Sequence, residues 1–232
     1  MSIERVDQRF SVVSDFIREP FFRKPFSAPC GGLLKRIFDI AFATTALVAL
    51  SPLLLGLALM VRLTDRGPIL FSHMRVGHNG KLFPCLKFRS MAHDSDAIFA
   101  QHLTESVDAR KEWEVYGKLR NDPRITPVGH YLRKYSLDEL PQLINILRGE
   151  MSVVGPRPVA IAELQNYGRS TRHYLKCRPG LTGLWQVSGR SNLSYRKRVA
   201  LDRAYVQNWS LPIDIALIFR TFSVVLKGDG SY

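Results

Sequence analysis

Residues 40–61 read IAFATTALVALSPLLLGLALMV and contain no charged residue. At about 1.5 Å per residue, a continuous helix of this length reaches roughly 33 Å, close to the hydrocarbon thickness of a bilayer. A core helix of a soluble domain usually carries a polar stripe, and none interrupts this run. The run is too long for a signal peptide and starts too far into the chain. Ser51-Pro52 lies at its midpoint. Proline removes one helix hydrogen bond and crowds the preceding turn, so a kink is expected there. Arg23, Lys24, Lys35 and Arg36 precede the run; Arg62, Arg66, Arg75 and Lys81 follow it. Basic flanks on both sides give no asymmetry to orient a crossing. The simplest geometry is two helical arms, bent at Ser51-Pro52, that enter and leave the same leaflet; a kinked span is the alternative.

The rest of the 232-residue chain is long enough to bury a core in one or two domains. A formal charge of +13 implies anionic partners: nucleic acid, an acidic lipid surface or phosphorylated substrates. Cys30, Cys85 and Cys177 are scattered, without metal-ligand spacing. They suggest a reducing, cytoplasmic milieu with neither zinc nor a disulfide framework. A membrane-tethered nucleic-acid-binding or scaffold protein would account for the charge. Such a protein tends to show a recognition helix or aromatic-interleaved basic surfaces, and the sequence has neither. No nucleic-acid partner is therefore expected.

Residues 1–32 form a variable arm ending in Pro29-Cys30-Gly31-Gly32. Residues 68–91 hold two strand-like runs around His78-Asn79-Gly80, a hairpin signal. Residues 92–117 read as helical, and two amphipathic helices are expected at about 194–209 and 211–227. The last of these, LPIDIALIFRTFSVVL, is too short to span a bilayer. It suits a core helix or one lying among lipid headgroups.

Residues 118–160 carry the densest chemistry. Ser136-Leu137-Asp138-Glu139-Leu140-Pro141 precedes an apolar run with Leu140, Leu143, Ile144 and Leu147 at helical spacing. Ser136 and Glu139 fit a capping box, a sufficient structural reason for Glu139. Asp138 in a first turn suits the helix dipole. The functional reading rests on the surroundings: Lys118, Arg120, Arg124, Arg133 and Lys134 upstream, and Arg157 in the stiff Gly155-Pro156-Arg157-Pro158. A helix N-terminus with convergent arginines can hold phosphate. An aspartate kept ionised there could act as a nucleophile, and paired carboxylates offer hard oxygen ligands to Mg²⁺. Asp94-Ser95-Asp96 resembles the metal motif of nucleotide-sugar glycosyltransferases, but a helix start explains it more simply. His73, His78 and His130 show no ligand spacing and read as structural.

Over about residues 33–232 the chain resembles the bacterial monotopic phosphoglycosyl transferases that prime surface-polysaccharide assembly. The resemblance is carried by Lys35-Arg36-Phe38-Asp39, Ser51-Pro52, Lys87-Phe88-Arg89-Ser90-Met91, Ser136 to Gln142, Gly155-Pro156-Arg157-Pro158, and Arg178-Pro179-Gly180-Leu181-Thr182-Gly183-Leu184-Trp185-Gln186. Met74 stands where the family usually has glutamine before Arg75-Val76-Gly77.

The resemblance implies an α+β, α-rich fold: one membrane-associated domain with a re-entrant, kinked N-terminal helix (33–66) and a small β-sheet. Residues 67–232 would be the cytoplasmic catalytic part, with interfacial helices, at the inner membrane of a bacterium. The implied substrates are a UDP-sugar, UDP-galactose or UDP-glucose, and undecaprenyl phosphate. Glycosyltransferases that extend the product are implied partners. Asp138 would be the nucleophile, and Glu139 would share Mg²⁺ with it or take a proton. Arg133 and Arg157 match residues near the phosphates. Lys87 and Arg89 could reach a phosphate or headgroup, and Asp202 and Asp214 fall at acidic positions of less certain role.

Overall fold

A computed structural model describes residues 25–117 and 119–227. Residues 1–24, the greater part of the expected arm, and Lys118 lie outside the described residues.

The apolar run belongs to two helices, α1 (Gly32–Ala49) and α2 (Ser51–Thr64), bent by 65° at Leu50. The break falls one residue before the expected dipeptide, yet the proline causes it. Pro52 has no N–H to offer the carbonyl of Val48. Ser51 Oγ donates to that carbonyl instead, at 2.8 Å. No single helix among the described residues is long and apolar enough to cross a membrane, whereas the bent pair together has the required length and composition.

Downstream follow β1 (Leu70–Val76), β2 (Leu82–Phe88), α3 (Ser95–Glu105), α4 (Val107–Tyr116), α5 (Pro127–Lys134), α6 (Gln142–Leu147) and β3 (Ser152–Val154). Then come α7 (Ile161–Leu164), α8 (Thr171–Leu175), β4 (Gly180–Thr182), α9 (Tyr195–Gln207) and α10 (Leu211–Lys227). The architecture is α-rich, as expected, with two separate two-stranded sheets instead of one. β1 and β2 pair antiparallel from Leu70 opposite Phe88 to Val76 opposite Leu82. Asn79 and Gly80 turn the hairpin at φ 57° and 79°, values that these two residue types tolerate. β3 and β4 pair in parallel. Gly155 and Gly180 bring these strands together: a Cβ on Gly180 would stand 2.0 Å from the Gly155 nitrogen. The Gly-Pro-Arg-Pro and Arg-Pro-Gly motifs are thus two sides of one backbone contact.

α1 is inverted relative to a soluble amphipathic helix. Lys35, Asp39 and Ala43, four residues apart, are buried, while Leu33, Leu34, Ile37, Ile40 and Val48 are exposed. In α2, Leu57 and Val61 are buried, and Leu53, Leu55, Leu59, Met60 and Leu63 are exposed. The polar stripe missing from residues 40–61 lies just upstream, because the helix begins at Gly32.

The buried polar residues of that stripe meet specific partners, although Asp39 Oδ2 is buried without one. The Lys35 ammonium donates to Asp214 and, at 3.1 Å, to the Tyr205 hydroxyl. Asp39 Oδ1 accepts from Ser152 Oγ and from the Val153 N–H, both at 2.9 Å. Arg36 donates to the carbonyls of Ile146 and Leu147 at the end of α6, where orphan acceptors need donors. Leu143, Ile146, Met151, Val153, Val154, Tyr205 and Leu217 complete the core around these contacts. α10 is a core helix that keeps an apolar face exposed. Asp214, Leu217 and Ile218 face the core, while Ile213, Ile215, Phe219 and Phe222 are exposed.

Candidate active site

Asp138 and Glu139 sit in a 3-10 turn, Leu137–Glu139, packed between α5 and β2. The expected capping box does not form. Ser136 has a left-handed φ of 55° and makes no capping hydrogen bond, and α6 starts only at Gln142. Pro141 lies at the boundary, and its ring keeps the helix from extending upstream. Glu139 is instead paired with Lys87 of β2: the ammonium lies 2.6 Å from Glu139 Oε1 and 3.6 Å from Asp138 Oδ2. One lysine therefore bridges two adjacent carboxylates.

Electrostatics split the pair. Burial and the Glu139 charge raise the Asp138 carboxyl above its ordinary value, against the pull of Lys87 and Arg133. The expectation that a helix N-terminus keeps Asp138 ionised is thus replaced: the turn is not that terminus, and Lys87 and Arg133 supply the counter-charge. Burial also pushes Glu139 up, but Lys87, Arg157 and Arg190 outweigh it and hold that carboxyl low. Burial pushes Lys87 down, and Glu139 and Asp138 more than offset it, so its ammonium is held above its ordinary value.

The other expected residues divide between the site and the scaffold. Arg133 Nε donates to Ser90 Oγ at 2.9 Å, on the Asp138 side. Arg157 acts electrostatically on both Glu139 and Asp202 and lies 6.0 Å from the Trp185 ring centroid. Arg89 faces Asp65 at the end of α2, donating to its carbonyl at 2.9 Å with its carboxylate 3.6 Å away. It ties the helix pair to β2. Arg124 pairs with Asp122 and stacks on Phe99, clamping α3 and α4. Asp214 belongs to the Lys35 cluster. Asp94 and Asp96 are exposed at the start of α3.

Two functional candidates escape the sequence reading. Trp185 carries Arg198 on its ring at 5.0 Å as well as Arg157. Arg190 follows Gly189 in a turn with φ 48°. Three non-glycine described residues have positive φ: Asn79, Ser136 and Arg190. Asn79 serves the hairpin, while Ser136 adjoins the Asp138 turn and Arg190 acts on Glu139. Strained backbone of this kind concentrates at working sites. Residue type and spacing carry no signal for it.

Asp202 is buried. The Tyr167 hydroxyl donates to its Oδ2 at 2.8 Å, and its Oδ1 has no partner. Burial pushes its carboxyl up to about 7, against Tyr167 and Arg157. Between about pH 4 and 7 the folded chain then holds a proton that the unfolded chain has released, so stability falls as pH rises through that window. Asp202→Asn should remove this component. Urea midpoints in detergent at pH 5 and pH 8 should differ less for the variant than for the unsubstituted chain. Equal differences would place the titration elsewhere.

Residues 30–228 match the family model described as bacterial sugar transferase. The chain belongs to the bacterial sugar transferase family. This sugar transferase is 52% identical over 204 residues to the exopolysaccharide production protein ExoY of Sinorhizobium fredii, covering 88% of this chain and 90% of that one. It is also 52% identical over 199 residues to the undecaprenyl-phosphate galactose phosphotransferase of Salmonella typhimurium, 86% of this chain and 42% of that longer protein. Over 218 residues it is 39% identical to the UDP-glucose:undecaprenyl-phosphate glucose-1-phosphate transferase of Escherichia coli, 90% of this chain and 43% of the relative.

Proposed function

We propose that this sugar transferase moves a hexose 1-phosphate, galactose before glucose, from a UDP-sugar to undecaprenyl phosphate, releasing UMP and priming exopolysaccharide synthesis. The observation that carries the reading is the Asp138–Glu139 pair bridged by Lys87. The preference for galactose follows the relatives, 52% identical for the galactose enzyme and 39% for the glucose enzyme.

The residues suggest two displacements. The Asp138 carboxylate attacks the β-phosphorus of the UDP-sugar. The bond to the α-phosphate oxygen breaks, and its electron pair leaves with UMP. A phosphate oxygen of undecaprenyl phosphate then attacks the phosphosugar held on Asp138 and frees the carboxylate. An anion attacking an anion needs counter-charge, and Lys87, Arg133 and Arg157 are placed to supply it. Glu139, held ionised, keeps Lys87 protonated and in place.

Among the described residues no group of three or more His, Cys, Asp and Glu side chains could hold a metal. Two carboxylates still fit Mg²⁺, which commonly takes one or two of them and fills its shell with substrate phosphates and water. The Lys87 ammonium lies between the two carboxylates, so Mg²⁺ held by Asp138 and Glu139 would have to share them with that lysine. When bound, Mg²⁺ would neutralise pyrophosphate charge.

The inverted α1–α2 pair supports lipid contact, and we place it in one leaflet of the inner membrane with the site on the cytoplasmic face. Buried charges and outward leucines are what a lipid-facing helix pair requires. Cysteines placed at Ser27 and at His93 should both label from the cytoplasmic side. Labelling from opposite sides would mean that the pair spans. The function itself is tested by incubating the chain with undecaprenyl phosphate and a panel of UDP-sugars. UMP release, fastest with UDP-galactose, is expected; release of UDP would indicate plain glycosyl transfer instead.

A further inference from the structure

Away from the Asp138–Glu139 pair, a cavity of about 390 Å³ is lined by Phe26, Arg172, His173, Lys176, Val206 and Gln207. It lies between α8, α9 and the segment leading into α1. Its charge is one-sided. Arg172, Lys176 and the nearby Arg203 take part in no ion pair among the described residues. Arg172 instead lies 5.8 Å from the centroid of the Phe26 ring.

His173 lines the cavity beside these cations. Burial, then Arg203, Lys176 and Arg172, hold its pKa below the ordinary value, so the ring is neutral at pH 7. The Gln207 side-chain nitrogen lies 3.3 Å from His173 Nε2. As an amide N–H it donates, so Nε2 accepts and the ring proton sits on Nδ1. That Nδ1 is buried without a hydrogen-bond partner. That nitrogen is closed to the cavity, but three cations around the cavity call for an anion with several acceptor oxygens.

The position narrows the choice. The Cys30 N–H donates to the Lys176 carbonyl at 2.9 Å. Two residues later α1 begins, with Leu33, Leu34 and Ile37 exposed. Trp209 stands against Gly31. The cavity therefore borders the rim of the apolar surface, where a phosphate from the bilayer is the nearest anion.

We propose that this cavity binds the phosphate of an anionic phospholipid headgroup, with Arg172, Lys176 and Arg203 neutralising its charge. The assignment rests on the lipid-facing reading of α1 and α2. Native mass spectrometry of the full chain in neutral detergent tests it, with phosphatidylglycerol, phosphatidylcholine and inorganic phosphate as separate additions. The readout is taken in detergent, so it does not depend on whether α1–α2 re-enter or span, nor on whether UMP is the product. About tenfold more retained phosphatidylglycerol than phosphatidylcholine is expected. R172A/K176A/R203A should lose that preference while keeping its melting temperature without lipid and its UMP release. Equal retention of the two lipids, or an unchanged preference in the triple variant, would overturn the proposal. Saturation by inorganic phosphate that displaces phosphatidylglycerol would overturn the headgroup assignment in favour of a free-phosphate site.

Discussion

Asp138→Asn is expected to fold as the unsubstituted chain does and to release UMP more than about 10³-fold more slowly. The substitution keeps the shape of the side chain and removes the anionic oxygen that would attack phosphorus. Lys87 retains its nearer partner, Glu139 at 2.6 Å, so the turn loses only the 3.6 Å contact. A second measurement separates a nucleophile from a binding role. With UDP-sugar labelled in the β-phosphate and no lipid present, the unsubstituted chain should retain label after denaturation, and the variant should not. Turnover near the unsubstituted rate, or label on the variant, would remove Asp138 from that role. Glu139→Gln is the informative companion. Glu139 raises Asp138, so its neutralisation should lower the acid limb of the pH–rate profile.

Lys35→Met should cost about 3–5 kcal/mol of stability, the usual consequence of leaving one member of a buried ion pair alone. The side chains of Lys35 and Asp214 are 4% and 0% exposed. Asp214 also accepts from the Tyr205 hydroxyl at 2.7 Å and the Trp209 indole at 3.0 Å, so these bonds would face an uncompensated charge. The Tyr205 oxygen also lies 3.1 Å from the Val154 carbonyl, linking the cluster to β3. Lys35→Met combined with Asp214→Leu should lose much less than the sum of the two single changes. Thermal unfolding of all three variants in detergent checks this. Strict additivity would mean that the two side chains are independent and the account is wrong.

The candidate site was legible in its members and illegible in its arrangement. Asp138, Glu139, Arg133 and Arg157 stood out because carboxylates and arginines crowd a short stretch around a proline-bounded turn. The capping-box pattern misled, since Ser136 and Glu139 have the right spacing for a helix start that Pro141 delays to Gln142. Lys87 is about fifty residues from the pair it bridges. Arg190 acts on Glu139 from a loop about as distant on the other side, and no local pattern encodes such contacts. Arg89, two residues from Lys87, goes to Asp65 and serves the scaffold. Residue type alone could not separate the two roles.

The apolar run marks the same division. Its length, its lack of charge and the proline at its middle determined that two helical arms would form with a break near Ser51, because propensity and the missing N–H act within a few residues. The hairpin at Asn79-Gly80 was determined in the same local way. Only the tertiary structure decided that α1 begins at Gly32, that Lys35 and Asp39 turn inward, and that Asp214, Ser152 and the Val153 N–H receive them. A charge four residues from an apolar run reads as a flank until its partner is known. Burial of these two charges is affordable because partners more than a hundred residues away in sequence lie within hydrogen-bond reach.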